Sequence, residues 1–238
     1  MIPKIIHYCW FGRGQMPELA VKCIDSWKKN LPDYEIKEWN EDNFDLDICP
    51  YVREAYDNKK FAFVTDVVRL YALYTDGGIY MDTDVEVLMS FDEFLDASAF
   101  FGFEDGKNIS TGIMGSEKQG KWAKDNLENY ACRHFIKDDG SFDMTTNVVA
   151  ITDSLLSFGL KQDNAYQVLS CSAVVYPQDY FSPKSVADGK IYLTCNSHAI
   201  HHFSASWQPA WRKYGRKLIL LLGGPEAKNW VKRVLRLK

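Results

Sequence analysis

Apolar residues along the chain follow two rhythms, a period of two in short runs and a helical period in longer ones. Ile2 to Tyr8 alternates and is rich in β-branched residues, which predicts a first strand leading into His7-Tyr-Cys-Trp-Phe-Gly12. Pro17 then suits the first turn of a helix whose face carries Ala20, Cys23, Ile24 and Trp27, with Pro32 closing it. Tyr34 to Trp39 reads as a second strand, followed by an acidic loop and a short helix near Pro50 to Asn58. Lys60 to Asp76 predicts a helix that is apolar on almost every side and therefore buried. Strands are expected at Ile79–Met81, Val85–Leu88, Ala97–Glu104 and Ile109–Ser116, then helices at Gln119–Ile136 and Thr145–Phe158. Strand-like segments follow at Gln167–Tyr176 and Lys190–Leu193. Alternating strands and helices through the first two-thirds predict an α/β fold with a mostly parallel sheet.

The buried helix contains two charges, Asp66 and Arg69, three residues apart and so on neighbouring positions of one face. They fit either a salt bridge that sets the helix register or the wall of a polar cleft. Just beyond, Gly77 and Gly78 suit a helix end, where the left-handed conformation is free of steric cost for glycine alone. The short strand Ile79–Met81 releases Asp82 and Asp84 at its end. Residues two apart on extended chain point the same way, so both carboxylates can face one point. Like charges held together require a counter-charge, and oxygen ligands suit Mg²⁺ or Mn²⁺ with positions left for phosphate oxygens. An EF-hand is excluded, because Val87 stands where the loop needs glycine. Downstream, His198, His201 and His202 cluster, and a neutral imidazole among them can complete a carboxylate-bound Mn²⁺ site.

Length and composition fit one large globular domain: 238 residues, 46% hydrophobic and 14% aromatic. That aromatic share would also suit stacking on sugar or base rings. The six cysteines have no regular spacing and fit reduced thiols in a cytosolic protein. No signal-peptide core opens the chain and no apolar run is long enough to span a bilayer, so a cytoplasmic protein is expected. The net charge of −4 hides an asymmetry, since residues 212–238 hold nine Lys or Arg against Glu226 alone. This basic stretch reads as two short helices split at Gly223-Gly-Pro225, either packed on the core or lying on an anionic membrane at the inner face of the cell membrane. No nucleic-acid partner is expected.

Four motifs in order resemble one known family. Ile2-Pro-Lys-Ile-Ile-His-Tyr-Cys-Trp-Phe-Gly12, Phe63-Val-Thr-Asp-Val-Val-Arg-Leu-Tyr-Ala-Leu-Tyr74, Gly77-Gly-Ile-Tyr-Met-Asp-Thr-Asp84 and His201-His-Phe-Ser-Ala-Ser-Trp207 are similar to the DXD-containing glycosyltransferases of family 32. That family includes capsular-polysaccharide sugar transferases. The resemblance implies a GT-A fold over residues 1–211, with a nucleotide-binding half near 1–90 and an acceptor half near 91–211. It implies retaining transfer of a hexose from a nucleotide sugar, expected to be UDP-linked, to a saccharide or lipid-linked acceptor. By matched position, Trp10 would stack on the base, with the Ile6–His7 backbone beside it. Asp66 and Arg69 would hold donor sugar hydroxyls and phosphate. Asp82 would contact ribose, sugar or metal through water, and Asp84 would bind Mn²⁺ or Mg²⁺ directly. His202 would be the C-terminal metal ligand, with His201 its rival, and Ser206 and Trp207 would close over the diphosphate. Two departures are Ser204-Ala205, where the family has a glycine before Ser-Trp, and Asn147, where relatives often carry Gly-Pro.

Two other functions are weighed against this one. Asp82-Thr-Asp84 also resembles the Asp-x-Asp of Mg²⁺-dependent phosphohydrolases, but those place it at the first strand and Glu86 departs from their pattern. A non-catalytic sugar-nucleotide-binding module at a membrane is the other, opposed by the intact set Asp66, Arg69, Asp82, Asp84 and His202.

Overall fold

The computed structural model describes residues 1–185 and 188–204. The expected tail helices of residues 212–238 therefore lie outside the described residues, as do Ser206 and Trp207. The chain runs β1 (Ile5–Cys9), α1 (Glu18–Asn30), β2 (Glu35–Trp39), α2 (Pro50–Asp57), α3 (Phe61–Thr75) and β3 (Gly78–Met81). It continues through β4 (Val85–Val87), β5 (Ala99–Gly102), β6 (Ile113–Ser116), α4 (Lys121–Glu128) and α5 (Asn147–Leu156). The last elements are β7 (Gln167–Val168), β8 (Ala173–Tyr176), α6 (Gln178–Phe181) and β9 (Ala199–His201).

Among the described residues, seven strands form one sheet in the order β2-β1-β3-β6-β5-β8-β7. Five of them share a direction and β6 and β7 run against it, which is the mostly parallel α/β sheet expected from the alternation. Side chains alternate between the two faces, and each face has its own core. Ile79 and Met81 of β3 join α1 residues Ile24 and Trp27 with Phe91, Phe94 and Phe181. Tyr80, between them in sequence, faces the other way and joins Val64, Val67 and Val68 of α3 with Trp122 and Ile151. The helix predicted from its all-round apolar pattern is thus packed beneath the sheet.

The turn from α3 into β3 explains its two glycines. Gly77 and Gly78 both have positive φ, and a Cβ on Gly78 would lie 2.5 Å from the Ile5 carbonyl oxygen. The strand can therefore enter beside β1 only with no side chain there. His7 locks the same junction. Its Nδ1 accepts from the Trp39 indole N–H at 3.1 Å, so its Nε2 carries the proton it gives to the Gly77 carbonyl at 2.7 Å. Burial holds this ring neutral by lowering its pKa.

Several boundaries differ from the periodicity. The helix expected over Gln119–Ile136 stops at Glu128, and the chain turns so that Tyr130 and Phe135 enter the core. The Glu54 carboxylate accepts the backbone N–H groups of Phe135 and Ile136 at 2.8 and 2.9 Å, replacing helical partners with a tertiary one. Gln167–Tyr176 is a hairpin, β7 to β8, reversing where Ser172 adopts positive φ. Around Lys190–Leu193 the structure has a single bridge, Ile191 to Lys184, in place of a strand. Val85–Leu88, expected as a strand, forms β4 and pairs antiparallel with β9 in a small second sheet, a pairing with no signature in the periodicity. Among the described residues no helix is long and apolar enough to cross a membrane.

Candidate functional site

β1 and β3 lie side by side in parallel, so their carboxyl ends open on the same edge of the sheet. Trp10 continues from one and Asp82 from the other. The Asp82 N–H donates to the Gly112 carbonyl at 2.8 Å, extending the pairing one residue past β3. Val85 N–H then returns to the Asp82 carbonyl at 3.0 Å, closing the turn that presents Asp84.

Asp82 lies two residues after Tyr80 and shares its face, toward α3. The Tyr80 hydroxyl donates to Asp82 Oδ1 at 2.8 Å, and Arg69 Nη1 stands 3.7 Å from the same oxygen. Arg69 is 5% exposed, pairs with Asp66 at 3.2 Å, donates to the Thr111 carbonyl at 2.6 Å and lies 4.6 Å over the Tyr80 ring. Burial disfavours the guanidinium charge, but Tyr80, Asp82 and Asp66 more than offset that, so it stays charged. Asp66 has no such surplus. Burial pushes its carboxyl up to about 7 against the pull of Arg69, with Asp82 adding to the rise. Of the two readings, the buried ion pair is what the structure shows, and the same guanidinium joins Asp66 to the Asp-x-Asp.

Asp84 is held from β9. Its Oδ2 accepts the Ser204 N–H at 2.7 Å and its backbone carbonyl accepts the His202 N–H at 3.0 Å. His201 Nε2 is 3.4 Å from Asp84 and 3.9 Å from Asp82. Burial would raise the Asp84 pKa, yet His201 and the Ser204 amide hold it well below the usual carboxylate range. The reverse acts on His201, where burial lowers the pKa and Asp84 and Asp82 more than restore it. The His201 ring lies between Phe203, 4.2 Å away, and Gly112, where a Cβ would sit 2.7 Å from Cε1. Its buried Nδ1 has no hydrogen-bond partner among the described residues.

One ligand atom from each of Asp82, Asp84 and His201 falls within 4.8 Å of the others. Two carboxylate oxygens and an imidazole nitrogen are donors for a divalent cation such as Mn²⁺, and Asp84 is already ionised for the purpose. These residues fit a metal.

The expected ligand His202 is a correction. It leaves the strand on the opposite side and places Nε2 2.8 Å from Glu86, while His201 takes the position at the carboxylates. Ile6 and His7 also stand apart from the cluster. Both are fully buried in β1 between β2 and β3, and the His7 ring is occupied by Gly77 and Trp39. Trp10 does reach the open edge, partly exposed, with its indole N–H on the Gly14 carbonyl at 2.6 Å. Tyr80, Gly112 and the Ser204 amide join the site without having been expected there. Tyr80 could have been found from its i, i+2 relation to Asp82, and Gly112 from a glycine inside an apolar strand pattern.

Residues 17–101, which contain Asp66, Arg69, Asp82 and Asp84, match the model of a glycosyltransferase sugar-binding region containing the DXD motif. The structure superimposes on the PaToxG glycosyltransferase with a TM-score of 0.50, covering 66% of this chain and 69% of that one at 20% identity. The fold is GT-A. An inositol phosphoceramide mannosyltransferase of Schizosaccharomyces pombe is 34% identical over 121 residues, which is 49% of this chain and 34% of that protein. The chain thus spans about a third of that relative's length. An uncharacterized glycosyltransferase of Acanthamoeba polyphaga mimivirus is 25% identical over 223 residues, covering 88% of this chain and 85% of its own. Asp82, Asp84 and His201 meet at the edge of this fold where β1 and β3 end.

The raised Asp66 carboxyl has a measurable consequence. A folded pKa above the unfolded value means stability is lost as pH rises from about 4 through about 7. Asp66→Asn keeps the shape and removes the titration. In metal-free urea unfolding, the stability of the variant relative to wild type should rise across that interval. A difference independent of pH would show that Asp66 is ionised throughout.

Proposed function

We propose that this protein is a metal-dependent retaining glycosyltransferase that moves a hexose from a nucleotide sugar, UDP-linked, to a saccharide or lipid-linked acceptor in surface polysaccharide synthesis. The observation that carries the reading is the convergence of Asp82, Asp84 and His201 within 4.8 Å at the edge where β1 and β3 end. Similarity to a glycosyltransferase sugar-binding region over that stretch supports it. A lipid-linked acceptor is in keeping with the resemblance to an inositol phosphoceramide mannosyltransferase.

Asp82, Asp84 and His201 would hold Mn²⁺ or Mg²⁺. Such a cation stabilises the negative charge that develops on a diphosphate as the sugar bond breaks. Arg69 keeps a fixed positive charge close to Asp82 and supplies a second source of that stabilisation without reorienting. Thr111, Tyr80 and Asp66 hold the guanidinium in place. Asp66 at its raised pKa can donate or accept a hydrogen bond with a sugar hydroxyl near neutral pH. Trp10 presents a partly exposed indole face at the same edge, suited to stacking on a base. Ser206 and Trp207, outside the described residues, would close the diphosphate side.

Hydrolysis of UDP-glucose, UDP-galactose and GDP-mannose in Mn²⁺ and in EDTA tests the activity. One donor should be cleaved with Mn²⁺, with a loss of about 10²–10³-fold in Asp84→Ala, comparable to deleting one transition-state stabiliser. Turnover unaffected by EDTA and by Asp84→Ala would remove the metal-dependent reading.

We place the protein in the cytoplasm, at the inner face of the cell membrane through residues 212–238. The support is the nine basic residues there, each worth about 1 kcal/mol near an anionic surface. Deleting 212–238 should abolish co-sedimentation with phosphatidylserine-containing liposomes, and unchanged sedimentation would discard this placement.

A further inference from the structure

A cavity of about 440 Å³, lined by none of Asp82, Asp84 and His201, lies between α4 and α5. Its size is in the range that holds small ligands. Leu70, Asn126, Tyr130, Arg133, Asn147 and Ser154 form its walls, and Asp153 is an exposed residue of its lining. Asn147 is 4% exposed, and both polar atoms of its amide lack a hydrogen-bond partner among the described residues. Buried side-chain amides are almost always satisfied, so this one leaves both a donor and an acceptor for a bound group.

The remaining walls restrict what that group is. Asn126 donates to Ser154 Oγ at 3.0 Å and to the Trp122 carbonyl at 2.9 Å, a bridge that ties α4 to α5 across the cavity. Arg133 is the cation of the lining, and its charge is already engaged, with Nε donating to Asp143 at 3.0 Å and the guanidinium 5.0 Å from the Tyr51 and Tyr130 rings. Asp153 adds a negative charge, so an anion is disfavoured. A neutral ligand rich in groups that both donate and accept fits best. Sugar hydroxyls have that dual character.

The cavity also adjoins the proposed reaction site. Leu70 follows Asp66 by one turn of α3, and the Asp66 carboxylate interacts electrostatically with Tyr130 and Arg133 of the same wall. We propose that the α4–α5 cavity binds a neutral saccharide unit through the Asn147 amide. Its assignment to the acceptor rests on the transferase reading above, whereas the saccharide site itself does not.

Saturation-transfer NMR with methyl glycosides of mannose, glucose and galactose, and with lactose, tests this on wild type, Asn147→Leu and Ser157→Trp. Asn147→Leu removes the amide at similar volume, and Ser157→Trp fills the lining from an exposed position. Thermal unfolding of each variant confirms that it is folded, and Asn147→Leu should melt no lower than wild type because its amide has no partner to lose. At least one glycoside should bind wild type, and its affinity should fall by about tenfold or more in both variants, a loss of about 1.4 kcal/mol. No transfer to wild type from any of the four, as for a cavity that holds water alone, overturns the site. So does binding that survives in both variants. UDP titration of wild type with Mn²⁺ is run alongside. Glycoside binding without metal-dependent UDP binding would keep the saccharide site and withdraw the acceptor assignment.

Discussion

A guanidinium keeps its charge at any pH a protein meets, so burying Arg69 beneath the sheet obliges its neighbours to answer it. Asp66, one turn back on α3, supplies one partner, the Thr111 carbonyl a second and Asp82 a third, with the Tyr80 ring beneath the plane. These groups come from α3, β3 and the segment before β6, so the charge pins three elements at the point where β3 ends. The same arrangement leaves an excess of carboxylate on the outer side. Arg69 satisfies Asp66 and reaches Asp82 at 3.7 Å, while Asp84 relies on His201 and the Ser204 amide. Negative charge is thus concentrated where a cation and a diphosphate would meet, and the protein holds it there with a fixed positive charge behind it.

Much of this was legible in the sequence because it is local. The all-round apolar pattern of Lys60–Asp76, the two glycines after it and the short strand to Asp82 each follow from residues within a few positions of one another. The pairing of Asp66 with Arg69 also followed from helical spacing. The choice between His201 and His202 had no such basis. Adjacent residues at a strand end point to opposite sides, and only the register of β9 on β4, which sets His201 opposite Val85, decides which ring meets Asp84. That register joins segments more than a hundred residues apart and leaves no local periodic trace. The early stop of α4 has a similar cause, since Glu54 captures the N–H groups of Phe135 and Ile136 from another helix.

His7, whose backbone was expected beside a base, has a ring with a structural task. Its tautomer is fixed by Trp39 on one nitrogen and Gly77 on the other, and burial keeps it neutral. It therefore supports the β1–β3 edge from inside while Trp10 occupies the outside. The division recurs across the molecule. In the polar cluster at β3 and β9 only the His201 Nδ1 is left without a partner among the described residues, whereas at the α4–α5 cavity a whole amide is. A group paired within the protein organises structure, and one left unpaired beside a cavity is available to a ligand.

The central claim is that Asp82, Asp84 and His201 form one cation site on which a nucleotide diphosphate depends. Electron paramagnetic resonance of Mn²⁺ with the protein and UDP, in wild type, His201→Ala and His202→Ala, tests it most directly. The account predicts bound Mn²⁺ in wild type and in His202→Ala, with binding weakened by about ten- to a hundredfold in His201→Ala. Retention of Mn²⁺ by His201→Ala together with its loss in His202→Ala would contradict it, because the geometry at β9 would then assign the wrong ring to the metal.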